Sequence, residues 1–528
     1  MKFDWGKSYP SQRQAIFARN VVATSQPLAT QAGMAMLQRG GNAVDAALAT
    51  AIALTVVEPC SNGIGSDLFA IVADGNELSG LNASGRAPAA WSPSRFAREI
   101  GMPQRGWDTV TIPGAVSGWV ALAQRYGKLP FADLFEPAIR YARDGYAVTP
   151  VVAKKWAAAV PLMPRGLGWQ EHFLPHGRPP RIGERFASAD MAATLGKIAE
   201  THGEAFYRTE LAEAMVAHAN RHGNVHALSD FASHSVDWVT PLALDYRDYQ
   251  VHQIPPNGQG IAALMALGIL REFDIAAHRV DSVAAQHLQI EAMKLAFADA
   301  YRYVGDPRTM TVSPSSLLDR EYLRMRARTI DVNSAQHFGP GDPPRGGTVY
   351  LCAADQHGMM VSLIQSNYMG FGSGVVVPGT GISLQNRGAG FVLEPGHANE
   401  VGGGKRPYHT IIPGFVTREG RPLAAFGVMG GPIQPPGHVQ TLVRLIDYQM
   451  NPQATLDAPR WKVNAGRSID LEVTASDELR SGLLALGHEM ESVPDSYMDF
   501  GAGQMIVKTD EGYVAASDPR RDGQAAGF

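Results

Sequence analysis

The sequence offers little to hold it together covalently. Its 528 residues include two cysteines, Cys60 and Cys352. Neither lies in a C-x-x-C, and two are too few for a disulfide framework at this length. Each is therefore expected to be a small buried apolar residue. No apolar stretch reaches the roughly 20 residues of a spanning helix. The longest, AVDAALATAIALTVV at 43–57, is interrupted by Asp45. The opening MKFDWGKSYPSQRQ lacks the apolar segment of a signal peptide, so a cytoplasmic protein without a membrane partner is expected. No Lys/Arg run stands out and the net charge is −4, which argues against a nucleic-acid partner. There is no HExxH and no clustered His/Cys set, so neither a metal nor another cofactor is expected. No internal repeat and no low-complexity segment is visible.

What is present is ample material for a core. Hydrophobic residues make up 45% of the chain and charged residues 18%, which excludes disorder. SQPLATQAGMAMLQRGG reads as a helix with Ser25 as N-cap, Pro27 in its first turn and Gly40 as its stop. NAVDAALATAIALTVVEP is apolar on nearly every side and reads as a buried helix ended by Pro59. DLFAIVADGNELSGLNAS reads as two strands around an Asp74-Gly75 turn. From about 110 to 340 the pattern is mostly helical, with period-3.6 spacing in GAVSGWVALAQRYG, FADLFEPAIRYARDGYAV and AAQHLQIEAMKLAFADAYRYVGD. After 348 strands dominate: TVYLCAAD, MMVSLIQSN, SGVVVP, RPLAAFGVM and QMIVKTDEGYVAASDP. HVQTLVRLIDYQM is a helix among them. A helix-rich front and a strand-rich back, each containing strands, fit a layered α/β architecture better than two unrelated domains.

The segment RGGTVYLCAADQHG (345–358) places Thr348 at the mouth of a strand behind two glycines. A hydroxyl is a weak nucleophile at neutral pH and needs a base. The threonine's own α-amine would serve, with a pKa of about 7.7–8, but only after the bond before it is cut. Gly347 leaves that bond unencumbered. The Thr348 hydroxyl could attack the Gly347 carbonyl, move the acyl group from N to O, and leave an ester for water to hydrolyse. Taken alone, the motif reads first as a Gly-Gly turn entering a strand.

The longer stretch GGTVYLCAADQHGMMVSLIQSNYMGFGSGVVVPGTGISLQNRGAGF resembles the start of the small subunit in the γ-glutamyltranspeptidase family. GGNAVDAALATAIALTVVEPCSNGIGSDLF, IPPNGQGI, KRPYHTIIP, GVMGGPIQPPGHVQ and ASDPRRDGQAAGF resemble further family blocks, in family order. The likeness runs from about residue 20 to the C-terminus. It implies an N-terminal nucleophile hydrolase with a four-layer αββα sandwich. It also implies a precursor that cleaves itself between Gly347 and Thr348. The large subunit would be 1–347 and the small subunit 348–528, together forming one αββα unit. Thr348 takes the nucleophile position. Ser366 stands where a second hydroxyl supports the nucleophile's amine. Gly430 and Gly431 match the pair whose N–H groups form the oxyanion hole.

The departures from the family concern substrate. The acidic residue that pairs with the α-amine of a glutamyl group is replaced by Gly390. Tyr368 stands where an asparagine is usual, and Val349 replaces a second hydroxyl. The family's carboxylate-gripping arginine has its counterpart, displaced by about two residues, in Arg86; Arg387, beside Gln385 and Asn386, is a second candidate. For either arginine a structural salt bridge is the competing role. Tyr408 and His409 replace small hydroxyl residues and would shrink the acyl pocket. This pattern resembles the amidase and acylase branch. The expected reaction is hydrolysis of a small carboxylate-bearing amide, oxamate to oxalate and ammonia first, as in purine-nitrogen catabolism. The expected substrate contacts come from Arg86, Tyr368, Gln385, Asn386, Arg387 and His409. Alternatives are a γ-glutamyl hydrolase or transferase acting on glutathione, a glutaryl or cephalosporin acylase, and an unprocessed binding or scaffold relative. The Gly-rich segment 391–407 reads as a lid or as an ordinary loop. A homodimer of processed heterodimers is left open.

Overall fold

Alternate residues of the strand Gly347–Ala354 face two different hydrophobic cores. Val349, Leu351 and Ala353 pack into one cluster, while Tyr350, Cys352 and Ala354 pack into another. A strand buried on both faces must lie inside a stack of layers, and the computed structural model has that form. It describes residues 12–338, 347–493 and 500–528. Arg345 and Gly346, which lead into the expected cleavage bond, and residues 1–11 lie outside the described residues.

Two seven-stranded antiparallel sheets form the middle. The first runs, edge to edge, Gln524–Gly527, Val21–Thr24, Gly347–Ala354, Met360–Tyr368, Asp67–Asp74, Glu77–Ala83, Asp237–Val239. The second runs Ile16–Ala18, Gly512–Ser517, Ala502–Thr509, Arg421–Met429, Gly414–Arg418, Tyr249–Gln253, Leu242–Tyr246. Between them Phe69, Ile71, Tyr350, Cys352 and Ile364 of the first sheet meet Phe415, Ala425, Met429, Ile506 and Ala515 of the second. Helices Pro27–Gln38, Ala43–Val57 and Ala115–Tyr126 cover the outer face of the first sheet. Helices Gly260–Leu270, Val283–Tyr303 and Gln434–Ile446 cover the outer face of the second. The result is the expected αββα sandwich. Both cysteines are buried and unpaired. No helix among the described residues is long and apolar enough to cross a membrane.

Several local expectations hold and some are corrected. All fifteen residues of Ala43–Val57 are buried, as an all-round apolar helix requires. The first helix is capped by Gln26, whose side chain accepts from the N–H groups of Leu28 and Ala29. Ser25, the expected cap, instead donates to Glu58 Oε2 at 2.5 Å. The turn after Asp67–Asp74 is Gly75-Asn76, because Asp74 still pairs with Glu77. SGVVVP supplies only a two-residue strand, Val376–Val377, paired with Ile382–Ser383. The mostly helical middle also hides three strands between 237 and 253. Two of them form a hairpin turned at Arg247, whose φ is +54°. That turn carries no Gly or Asn to announce it.

The strand Gly347–Ala354 pairs with Val21–Thr24 only from Leu351 onward. Its first half therefore has a described strand neighbour on one side alone, Met360–Tyr368. A buried bond ties that neighbour to the helical layer: Trp119 Nε1 donates to Gln365 Oε1 at 2.8 Å, and Gln365 Nε2 donates to Asn62 Oδ1 at 2.5 Å. Trp119→Phe keeps most of the ring but leaves the Gln365 carbonyl without that donor, at about 1–3 kcal/mol. The expected outcome is a lower denaturant midpoint in urea unfolding.

Candidate active site

The site is built by strand register. Gly347 pairs with Tyr368 and Val349 with Gln365, so Thr348 opposes two residues, Ser366 and Asn367. This is a β-bulge on the strand Met360–Tyr368, a device that re-aims side chains beside active sites. The Thr348 and Ser366 hydroxyls lie 3.2 Å apart, both buried. The Tyr368 N–H donates to Ser366 Oγ at 2.8 Å. Tyr368 itself has φ +77°, a left-handed conformation uncommon for a bulky residue.

One strand further, Ser366 pairs with Asp67. Asp67 has the parity of Phe69, Ile71 and Ala73, which face the space between the sheets. Its carboxylate is fully buried there. Oδ1 accepts from the Gly114 N–H at 2.9 Å and the Gly85 N–H at 3.4 Å. Oδ2 lies 3.0 Å from His409 Nε2. The Ile411 N–H points at His409 Nδ1 at 3.4 Å, which assigns the proton to Nε2 and makes the ring the donor to Asp67. Burial, with Arg387 and Arg406 nearby, depresses the imidazole well below its ordinary pKa, so it is neutral. Burial also pushes the Asp67 carboxyl up to about 7, although Arg387 and the two backbone N–H groups pull it down. The sequence reading passed over Asp67. The available signal was a carboxylate at an inward-facing position of DLFAIVAD.

Arg387 follows a short loop and is 1% exposed. Its Nη1 donates to Thr410 Oγ1 at 2.7 Å, and its guanidinium lies over the Tyr368 ring, 4.7 Å from the centroid. Nε and Nη2 meet no acceptor among the described residues. Burial lowers its pKa to about 10, opposed by Asp67 and Tyr368. Arg86 is placed differently. It is about a third exposed and pairs with Asp306 at 3.0 Å, next to Arg308 on the same carboxylate. The structural salt bridge weighed against a substrate role is thus present for Arg86.

Gln385 and Asn386 are engaged with the protein itself. Gln385 Nε2 donates to Thr111 Oγ1 at 2.5 Å and Thr111 O at 2.9 Å, and its Oε1 takes the Arg387 N–H. Asn386 donates to Gln104 O at 2.8 Å and accepts from the Met369 N–H at 3.0 Å. They fix the loops around Arg387 and Tyr368. A Cβ built on Gly390 would stand 2.8 Å from the Tyr408 carbonyl oxygen, so an acidic side chain there requires a backbone shift. The segment 391–407 is anchored rather than open. Phe391 and Val401 pack with Ala87, Trp91 and Phe96, Lys405 O accepts from the Ala87 N–H, and Arg406 pairs with Asp237.

Gly430 and Gly431 end the strand Arg421–Met429 and open the short turn Gly431–Ile433 before helix Gln434–Ile446. Their φ values are +127° and +70°, which only glycine adopts without strain. Two glycines at a helix N-terminus form a natural anion-binding corner. Elsewhere, His287, Glu291 and His488 bring potential metal-ligating atoms within 4.8 Å of one another. His287 Nδ1 and His488 Nε2 bond each other at 2.8 Å, and Glu291 holds the Lys294 ammonium at 2.8 Å. Glu291 and both imidazoles thus already have partners within the protein, and the group is a polar knot behind the second sheet.

Known proteins resemble this chain along its whole length. The family model described as gamma-glutamyltranspeptidase matches residues 29–528. The glutathione hydrolase-like YwrD proenzyme of Bacillus subtilis (strain 168) is 34% identical over 527 residues, covering 98% of this chain and 100% of that protein. The oxamate amidohydrolase proenzyme of Klebsiella pneumoniae is 35% identical over 516 residues, 95% of this chain and 97% of that protein. The crystal structure of cephalosporin acylase from Bacillus halodurans superposes with a TM-score of 0.96 at 48% identity, covering 100% of this chain and 99% of that one. With the sandwich of an N-terminal nucleophile hydrolase and matches of this extent, the chain belongs to the γ-glutamyltranspeptidase family.

Proposed function

We propose that the chain is a self-processing threonine amidohydrolase that cleaves small amides carrying a carboxylate on the acyl side, with oxamate the first substrate to test. The observation that carries this reading is the buried Arg387. A guanidinium out of water with its Nε/Nη2 edge unpartnered is costly. That edge has the spacing to take both oxygens of one carboxylate. Arg387 lies over Tyr368, whose N–H holds Ser366, whose hydroxyl meets Thr348. Each link is a direct contact, which favours a compact substrate. The crowded Gly390 argues against a glutamyl α-amine. A longer glutaryl-type acyl group is the second reading, favoured by the 48% identity to the cephalosporin acylase structure.

In the precursor the Thr348 hydroxyl attacks the Gly347 carbonyl, the acyl group shifts from nitrogen to oxygen, and water hydrolyses the ester. The names of the relatives, proenzymes, support such processing. The mature Thr348 amine then takes the hydroxyl proton as Oγ1 attacks the substrate amide carbon. The N–H groups of Gly430 and Gly431 receive the oxyanion, worth about 2.7–4 kcal/mol per donor. The leaving nitrogen takes the proton back from the Thr348 ammonium and departs as ammonia or an amine. Water hydrolyses the acyl ester and regenerates the hydroxyl. Ser366 orients the nucleophile throughout.

On a denaturing gel the protein should run as two pieces, 347 residues and the remaining 181 of 528, near 37 and 19 kDa when 56.6 kDa is divided by length. Thr348→Ala should leave one band; a cut Thr348→Ala chain overturns self-cleavage by Thr348, and an uncut wild type favours the unprocessed scaffold. Ammonia or amine release from oxamate, glutaryl amides and glutathione ranks the substrates. Arg387→Gln should raise KM for the carboxylate-bearing amide about 10–100-fold with little change in kcat, from loss of charged hydrogen bonds of about 1.5–3 kcal/mol. A larger rise in Arg86→Gln would transfer the carboxylate site to Arg86.

A further inference from the structure

Asp67 has no part in the mechanism above, yet it is the most deeply placed charge in the site. It is 0% exposed and lies in cross-strand register with Ser366. His409 faces it from the loop before the second sheet, with Nε2–H donating. Gly85 and Gly114 present backbone N–H groups from two loops. Tyr207, bonded to Pro113 O, lies behind and titrates far above neutrality because of burial. Two arginines act on it through space, Arg387 and Arg406. Arg406 already has a partner in Asp237 and also donates to Ser84 O. Among the described residues Arg387 has no ion pair at contact distance, and two of its nitrogens, Nε and Nη2, are unpartnered. The mature Thr348 amine would be the remaining titratable group.

Without a ligand this enclosure holds one positive charge that lacks a contact partner, Arg387, and one negative charge, Asp67. They balance at a distance. A carboxylate arriving on the Nε/Nη2 edge of Arg387 takes over as its counter-ion and leaves a surplus negative charge among residues that are almost fully buried. Two carboxylates near one cation in low dielectric relieve each other by binding a proton. Asp67 is suited to take it. His409 is held neutral as a donor, and burial already brings the Asp67 carboxyl up to about 7.

We propose that Asp67 is the internal counter-ion of the carboxylate-binding arginine, and that an anionic acyl group and a proton enter this pocket together. Asp67 is thus a positioning residue that makes the pocket selective for a single added negative charge. The inference rests on the reading of Arg387 given above. The sign follows from linkage. A bound anion disfavours ionised Asp67, so binding takes up a proton wherever Asp67 is ionised in the free protein, above about pH 7. Anion affinity should fall as pH rises through that range and level off below it.

The test uses the processed protein with oxalate and with glutarate as probes, by calorimetry from about pH 6 to 9 and at one alkaline pH in two buffers of different ionisation heat. The expected result is an affinity that weakens toward about tenfold per pH unit above neutrality, with a buffer-dependent heat reporting uptake of close to one proton. Asp67→Asn should bind the same probe with an affinity flat across this range. The wild-type slope stands as a test even if that variant does not fold. A flat wild-type profile overturns the proposal, and so does a slope that survives in Asp67→Asn, which would move the proton to the Thr348 amine. Amide hydrolysis without proton uptake removes the coupling alone. If neither anion binds and no carboxylate amide is hydrolysed, the reading of Arg387 falls as well.

Discussion

The two-residue alternation of a β-strand, applied at the ends of three neighbouring strands, is the constraint on which the site depends. Thr348 shares its face with Tyr350, Ser366 with Ile364, and Asp67 with Phe69. Because all three strands are buried on both sides, no residue can change face without putting a core side chain in the wrong layer. The bulge opposite Thr348 adds one residue where the Thr348 hydroxyl meets that of Ser366, and the helical layer behind Gln365 holds that distortion in place. The chemistry is positioned by the sheet, and the sheet by two hydrophobic cores.

The second organising feature is electrostatic. The buried residues around Thr348 include a guanidinium, a carboxylate and a neutral imidazole, and the first two act on each other without touching. Protein interiors tolerate such charges only when they are paired or when a ligand completes them. Arg387 is satisfied on one nitrogen and stacked on Tyr368, which keeps its remaining edge oriented. Gln385 and Asn386 hold the loops that frame it through bonds to backbone.

Much of this was legible in the sequence, and the misses have physical causes. The buried helix, the strand-rich back and the layered class follow from periodicity, since a helix apolar all round and doubly buried strands require layers. Thr348 and its glycines stood out because a hydroxyl behind a Gly-Gly pair at a strand mouth is chemically unusual. Their roles came from a likeness to a family. Periodicity could not separate Arg86 from Arg387, because which arginine meets a carboxylate of the protein depends on Asp306, over two hundred residues away from Arg86 in sequence. Asp67 was passed over because a carboxylate opening a strand ordinarily reads as a solvent-facing end. Ser25 lost its cap to Gln26 because a buried Glu58 claimed its hydroxyl, a tertiary contact that no local rule contains.

The sheet order has a mechanical consequence. The segment after residue 347 supplies three strands of one sheet, the inner pair Gly347–Ala354 and Met360–Tyr368 and the edge strand Gln524–Gly527, and four adjacent strands of the other, while the segment before it supplies the remaining ones. The C-terminal strand Gln524–Gly527 closes against Val21–Thr24, near the opposite terminus. Two pieces woven in this way have no shared boundary along which to separate. A break ahead of Thr348 would leave them clasped like interlaced fingers, and parting them would mean dismantling both sheets. Pieces once parted would have to find each other in solution, without the tether that first brought their strands together.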